Sequence, residues 1–159
     1  MKKGLILILS LLLAFTTAGC KPEVKPEVKP EKEVRHVNLY LPDENYIELV
    51  PVEVEIRLGE MDLIEEKIWD ALAEHELFTY DCVLQSMVKT DDGKLELDVN
   101  SEFGDYVRNM GSTGEYLIIG GIVNTYIDAF DCKAVKITEE GDILQTGHAE
   151  YDGYLEKFE

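Results

Sequence analysis

Three cysteines are the residues of this 159-residue chain with the widest range of chemistry. A thiol can act as a nucleophile, ligate zinc or form a disulfide. Cys82 and Cys132 each follow an aspartate and begin a run of alternating apolar residues. Neither has an adjacent histidine that would activate it, and there is no CxxC pair with suitably spaced histidines. The sequence therefore disfavours a cysteine nucleophile and a zinc site.

The pair formed by Cys82 and Cys132 leaves two alternatives open. Outside the cytoplasm, two cysteines can oxidise to a disulfide. If both residues begin neighbouring strands, their Cα atoms could lie within the required ~4.4–6.8 Å. The other interpretation is two buried free thiols, because free cysteine is among the most buried residue types.

The third cysteine, Cys20, follows a different kind of segment. Lys2 and Lys3 are followed by the apolar run 5–15 and then by small residues up to Gly19. The run is shorter than the ~20 residues of a membrane-spanning helix. This pattern predicts a signal peptide over residues 1–19, and an uncleaved anchor is the alternative.

The tetrad Thr17-Ala18-Gly19-Cys20 resembles the lipobox of bacterial lipoproteins, with Thr17 where leucine is usual. The resemblance implies that the Cys20 thiol receives a diacylglyceryl group, that cleavage occurs before it, and that the new N-terminus is acylated. Several acyl chains make a stable anchor, since each buried CH₂ contributes about 0.8 kcal/mol. We therefore expect an extracytoplasmic protein held in the cell membrane, with the lipid bilayer as one partner.

A charged, proline-containing segment over residues 20–35 follows the predicted cleavage point. Pro22, Pro26 and Pro30 recur every four positions in a Lys-Pro-Glu-Val repeat. Each proline fixes φ and disfavours helix before it. At ~3.1 Å per residue, the fourteen-residue stretch 21–34 would span roughly 40 Å as a semi-rigid polyproline-like spacer.

The overall charge restricts the partners. The chain carries 15 Lys and Arg against 33 Asp and Glu, a formal net charge of −18. Such a chain repels phosphate backbones, so nucleic acid is not an expected partner. Its 45% hydrophobic content is nevertheless that of a globular protein.

Residues 36–159 are expected to form one domain. Stretches 37–43 and 52–58 alternate as strands, with Pro51 marking an edge or a break. Stretch 61–76 has an apolar stripe typical of a helix, with Asp62 as the expected cap. Two alternating runs around Asp92-Gly93 predict a hairpin with a type I′ turn.

A second helix is predicted over residues 112–130, opened by a capping box of Ser112 and Glu115. Gly120 and Gly121 inside it indicate close approach to a neighbouring element, since each glycine costs about 1 kcal/mol relative to alanine. Two more strands follow. The element order predicts an α+β fold, with a small mixed or antiparallel sheet and two helices on one face.

Several of these stretches together resemble the GerMN family. They are VNLYLPDENYIELVPVEVEIR, LELDVNSEFGDYV, GSTGEYLIIGGIVNTYIDAFDCKAVKI and EEGDIL, which cover most of residues 36–155. Tyr126 stands where leucine usually follows Asn-Thr. The resemblance implies a single domain similar in fold to ring-building motifs of secretion-type assemblies. It also implies a non-enzymatic domain of the kind that occurs in bacterial envelope lipoproteins, one of which is tied to spore formation and germination. No catalytic residues and no cofactor are implied by the family.

Two classes of function remain. The first is a non-catalytic module that assembles with itself or with other envelope proteins. The second is a lipoprotein that binds a solute, metal or cell-wall fragment, for which four tyrosines are candidates: Tyr116, Tyr126, Tyr151 and Tyr154. His148, Glu150 and Asp152 alternate, but we interpret them as surface residues of an edge strand rather than metal ligands. A hydrolase is disfavoured because no nucleophile and base form a recognisable set.

Overall fold

The computed structural model of the chain describes residues 33–159. The strands are β1 (Glu33–Pro42), β2 (Leu49–Leu58), β3 (Leu84–Lys89), β4 (Leu95–Val99), β5 (Val135–Glu139), β6 (Asp142–Gln145) and β7 (Glu150–Tyr151). The helices are α1 (Ile64–Glu74), α2 (Ser101–Arg108) and α3 (Ser112–Phe130). The predicted signal peptide, Cys20 and the spacer up to residue 32 lie outside the described residues. The first strand begins at Glu33, inside the stretch predicted as spacer.

The first two strands form an antiparallel sheet of their own, in which Tyr40 lies opposite Pro51. The N–H of Tyr40 donates to Oγ1 of Thr125 on α3 at 2.9 Å, so it points away from β2. In an antiparallel ladder the backbone nitrogen of the opposing residue then also points away from the partner strand. Pro51, which has no N–H, therefore loses no ladder hydrogen bond. This confirms the expected edge position of Pro51.

The remaining strands form a five-stranded sheet in the order β3-β4-β5-β6-β7. Only β4 and β5 pair in parallel, and the other pairs are antiparallel. The prediction of one sheet is therefore wrong. Helix α3 lies along the outer side of β1, where Thr125 accepts the hydrogen bond of the Tyr40 N–H and no strand of the other sheet pairs.

The β3–β4 hairpin is confirmed, but its turn differs from the predicted type I′. That turn needs positive φ at both central residues. Gly93 has φ of 81°, whereas Asp92 does not have positive φ. The N–H of Gly93 instead bonds to the carbonyl of Thr90 at 3.1 Å. The geometry is that of a type I turn followed by a left-handed glycine.

The α+β class is confirmed, with three helices rather than two. The helix that sequence patterns missed, α2, has only eight residues and follows β4 directly. Its cap is Asn100, whose side chain accepts a hydrogen bond from the N–H of Phe103. Phe103 and Val107 are fully buried and join the single core that the helices and both sheets share.

The two predicted capping arrangements do not form. Helix α1 is preceded by Leu63, which gives no side-chain cap, while Asp62 accepts from the N–H of Gly59 at 2.7 Å. Helix α3 is preceded by Gly111 and likewise has no side-chain cap. The carboxylate of Glu115 turns to other partners, described below.

The expected close approach at the glycine pair is confirmed. A Cβ on Gly121 would lie 2.7 Å from the carbonyl oxygen of Tyr40, and one on Gly120 would lie 2.8 Å from the ring of Phe158. Helix α3 therefore packs on β1 backbone against backbone. Within residues 33–159, no helix has the combination of length and apolar character that crossing a membrane requires.

Candidate functional site

The two cysteines of the domain do not meet. Cys82 and Cys132 are both free and buried, so the disulfide left open by the sequence is not formed. Strand β3 is antiparallel to β4, and β5 is parallel to it. The start of β3 therefore lies beside the end of β4, and the start of β5 lies beside its beginning. Residues just before those two starts are separated by the length of β4.

Each thiol is held in its own buried position. The Sγ of Cys82 lies 3.5 Å from Oγ1 of Thr79. The Sγ of Cys132 donates to the carbonyls of Tyr126 and Ala134, each at 3.8 Å. Burial raises the pKa of both thiols. Both groups are protonated near neutral pH, which is the state of a structural cysteine rather than a nucleophile.

The one buried carboxylate among residues 33–159 belongs to Glu115, in the first turns of α3. Its side chain is only 3% exposed. Oε1 accepts from the hydroxyls of Thr146 and Tyr151, each at 2.7 Å, and Oε2 lies 2.9 Å from Nδ1 of His148. The group joins the start of α3 to β7 and to the turn before it.

Burial by itself would raise the pKa of Glu115, but the hydrogen bonds from Thr146, Tyr151 and His148 outweigh it. The pKa of Glu115 therefore ends below its usual value, and the group is a charged structural anchor. Sequence analysis missed this role. The available signal was a single carboxylate on an otherwise apolar helix face.

His148, Glu150 and Asp152 are exposed, as expected, but they do not share a strand, since β7 contains only Glu150 and Tyr151 and His148 lies in the preceding turn. In the part of the chain that the structure describes, no three His, Cys, Asp or Glu side chains are placed to hold a metal ion. The candidate tyrosines also point to separate places. The hydroxyl of Tyr116 donates to the carbonyl of Glu159, and that of Tyr126 donates to the carbonyl of Glu65. The hydroxyl of Tyr151 donates to the carboxylate of Glu115, and that of Tyr154 donates to the carboxylate of Glu96.

The surface between α1 and β3 has a different character. It contains two adjoining depressions of about 300 and 240 Å³, which together we name the α1–β3 groove. The lining residues are Leu63, Glu65, Glu66, Trp69, Asp70, Tyr80, Cys82, Val83, Leu84, Gln85, Ser86 and Met87. Glu66 and Leu84 line both depressions, so the groove is continuous. Three of these residues are carboxylates, and none is basic.

Apolar side chains along the groove are exposed to an unusual degree. Tyr80 is 74% exposed, and Leu63 and Val83 are about half exposed. Contiguous exposed apolar surface with a polar rim is typical of interaction sites. Sequence analysis did not identify this surface, because Tyr80 and Val83 lie in an irregular segment without a periodic pattern.

The wall of the groove is held rigidly. Nε1 of Trp69 donates to the carbonyl of Cys82 at 2.8 Å. The amide of Asn100 accepts from the N–H of Val83 at 2.8 Å and donates to the carbonyl of Asp81 at 2.7 Å. The segment before β3 is thus fixed to α1 on one side and to the cap of α2 on the other.

A further depression of about 240 Å³ lies between the β1–β2 connection and the helices. It is lined by Pro42, Tyr46, Glu76, Leu77, Tyr106, Met110, Gly114, Leu117 and Ile118. Tyr46 and Glu76 have φ of 55° and 62°, conformations that are uncommon for residues other than glycine.

The profile of the Germane family, described as sporulation and spore germination, matches residues 38–145. The match covers the second half of β1, all of β2 to β6 and all three helices. The chain belongs to the Germane family. The expected GerMN resemblance is thereby confirmed.

Solved structures share the Germane fold at low sequence identity. The first GerMN domain of the sporulation protein GerM from Bacillus subtilis has a TM-score of 0.56 at 18% identity, over 77% of this chain and 97% of that one. The tandem GerMN domains of GerM have a TM-score of 0.57 at 20% identity, over 90% of this chain and 49% of that one. A candidate lipoprotein from Clostridium perfringens has a TM-score of 0.51 at 15% identity, over 79% of this chain and 88% of that one. No curated protein matches at a significant level.

Proposed function

We propose that this Germane-family chain is a lipid-anchored, non-catalytic module that assembles with other envelope proteins in sporulation or germination. The observation that carries the proposal is the α1–β3 groove, where exposed apolar side chains border an open sheet edge. A protein surface of this kind recognises another protein more readily than a small polar substrate.

The state of the buried polar groups supports a binding role over catalysis. Among the described residues, every buried side-chain nitrogen and oxygen has a hydrogen-bond partner. Catalytic sites commonly hold strongly perturbed groups that await a substrate. Here the buried carboxylate of Glu115 and the two buried thiols are bonded within the domain.

The membrane anchor rests on Cys20 and on the likeness in fold to the candidate lipoprotein. Acylation of Cys20 would hold the domain at the membrane, and the Lys-Pro-Glu-Val segment would carry it away from the bilayer surface. A Cys20→Ala chain should leave the membrane fraction. A Cys20→Ala chain that stays membrane-bound after its signal is removed would contradict the anchor.

Site-specific photocrosslinking tests the assembly role in the lipidated protein. A photoreactive residue at Tyr80, in the groove, should form an adduct with an envelope protein. The same group at Glu53, an exposed residue of β2, is the matched control and should not. Absence of adducts from Tyr80 in sporulating and germinating cells, together with a monomeric lipidated form, would overturn the proposed function.

A small-ligand function is the second candidate, favoured by the depression near Tyr46 and Tyr106. Its volume of about 240 Å³ lies just below the ~300–1,000 Å³ of typical ligand pockets, so a small, largely apolar ligand fits best. A ligand that binds only the folded state raises the melting temperature. In a panel of ligands, small aromatic solutes should show such a shift, whereas metals and muropeptides should not. Tyr106→Trp should abolish the shift by filling the depression.

A further inference from the structure

The outer edge of β3 is open. Strand β3 ends the five-stranded sheet, and among residues 33–159 its only ladder partner is β4. The N–H of Thr90 points to β4, where it bonds to the carbonyl of Lys94 at 2.9 Å. Because N–H groups alternate along a strand, those of Met87 and Lys89 point away from β4. Neither has another hydrogen-bond partner among the described residues.

The open edge faces α1 across the groove. Leu63, Glu65 and Glu66, at the start of α1, form the wall opposite residues 84–87. The space between them is a lined slot rather than bare surface. A bulge between Leu84 and Ser86 interrupts the ladder, so the regular part of the edge is residues 86–89. An added strand would therefore pair over about four residues.

The charge of the slot selects among the occupants. Glu65 and Glu66 line the groove without an ion pair among the described residues, whereas Asp70 is paired with Lys67 at 3.4 Å. No basic residue lines the groove, so an incoming basic side chain meets the carboxylates of Glu65 and Glu66. A second copy carries the same formal charge of −18 and would be repelled. The chain's own stretch 21–34 carries four glutamates and four lysines, and its glutamates would be repelled by the same carboxylates.

We infer that the α1–β3 groove binds an extended segment of a partner protein, in which lysine or arginine alternates with apolar residues, as an added strand on β3. The backbone of the segment bonds to the outward groups of Met87 and Lys89. Its apolar side chains contact Leu63 and Val83, and its cations meet the carboxylates. This inference rests on the proposed function and names the kind of partner.

The test uses the mature chain with Cys20→Ser and a capped ten-residue peptide of alternating lysine and valine. A block peptide of five lysines followed by five valines has equal charge and composition and serves as the control probe. We expect the alternating peptide, and not the block peptide, to slow hydrogen exchange of the Met87 and Lys89 amides at least about tenfold. Shifts in ¹⁵N spectra should centre on β3 and the start of α1.

Matched variants separate strand addition from diffuse attraction. Glu65→Lys with Glu66→Lys should weaken peptide binding at least about tenfold. Glu53→Lys with Glu55→Lys, on exposed β2 positions, changes the net charge equally and should weaken it less than about twofold. Met87→Pro removes an outward N–H and should abolish binding, whereas Met87→Ala shortens the same side chain, keeps the N–H and should retain it.

Four results would overturn the inference. Two concern the peptides: equal protection of the Met87 and Lys89 amides by the block peptide, or equal weakening of peptide binding by the two pairs of charge substitutions. The other two concern the chain without peptide: protection of these amides that disappears when residues 21–32 are deleted, or protection that disappears on dilution. The last two would identify the chain's own segment or a second copy as the occupant. Adducts from Tyr80 without peptide protection would leave the proposed function standing and remove only this inference.

Discussion

Oε2 of Glu115 lies 2.9 Å from Nδ1 of His148, a residue 33 positions later in the chain. Together with Thr146 and Tyr151, this contact fastens β7 and the turn before it to the start of α3. The carboxylate is 3% exposed, so water cannot replace these partners.

The stability of the domain should depend on pH through Glu115. Its folded pKa is lowered, so its contribution is fully present above the unfolded pKa of about 4.3 and is lost as pH falls through the folded pKa. Glu115→Gln removes this titration. The free energy of unfolding should therefore fall less steeply with acidification in Glu115→Gln than in the parent chain, as measured by urea unfolding at several pH values.

Shortening the same side chain should cost more than neutralising it. Glu115→Ala leaves the hydroxyl of Tyr151 without its acceptor and leaves that of Thr146 only the carbonyl of Ala149 at 3.2 Å, and we expect a loss of about 3 kcal/mol in the free energy of unfolding. Glu115→Gln keeps an acceptor for both hydroxyls and should lose about 1 kcal/mol. Equal losses in the two variants would show that the hydroxyl bonds contribute little.

Alanine at Gly121 should destabilise the domain by about 2–4 kcal/mol. Its Cβ would lie 2.7 Å from the carbonyl oxygen of Tyr40, a backbone atom that cannot move without shifting β1. Gly114→Ala in the same helix is the control, because its nearest neighbour is the Met110 side chain at 3.4 Å. It should be neutral or stabilising by up to about 1 kcal/mol. Equal melting temperatures for the two variants would contradict the close packing.

Cys82 and Cys132 should remain thiols after purification without reductant. In the mature Cys20→Ser chain, unfolding in guanidinium should expose two groups that react with a disulfide reagent. The folded chain should react slowly, because burial raises the pKa of both thiols and limits access. Single alanine variants should each lose one reactive group. An unfolded, unreduced chain with no reactive thiol would show that the two residues are joined.

The ion pair of Arg108 and Glu139 should stabilise the fold measurably. The two terminal guanidinium nitrogens of Arg108 each lie 2.7 Å from a carboxylate oxygen of Glu139, whose side chain is only 15% exposed. A double-mutant cycle with alanine should give a coupling free energy of about 1–2 kcal/mol. The exposed pair of Arg57 and Glu55, joined by one contact of 3.3 Å, should give less than about 0.5 kcal/mol. Similar couplings for both pairs would contradict the role of burial.

Local sequence patterns were enough to predict the elements whose signals span a few consecutive residues. Alternation gave the strands, Gly93 marked the hairpin, Pro51 marked an edge, and the glycine pair of α3 indicated close packing. Each of these follows from the conformational preferences of a few consecutive residues. The same locality explains the missed α2, since eight residues are too few for a clear period.

Contacts between residues far apart in the chain could not be predicted, because they depend on how the whole domain packs. Whether Cys82 approaches Cys132 depends on β3 and β5 running in opposite directions beside β4, and a period-two pattern does not encode strand direction. Glu115 has the spacing from Ser112 that is typical of a capping box, but in the fold its carboxylate accepts hydrogen bonds from the hydroxyls of Thr146 and Tyr151, more than 30 residues later in the chain. The α1–β3 groove likewise exists because strand order leaves the edge of β3 open beside the carboxylates of α1, an arrangement set by packing across the core rather than by neighbours in the chain.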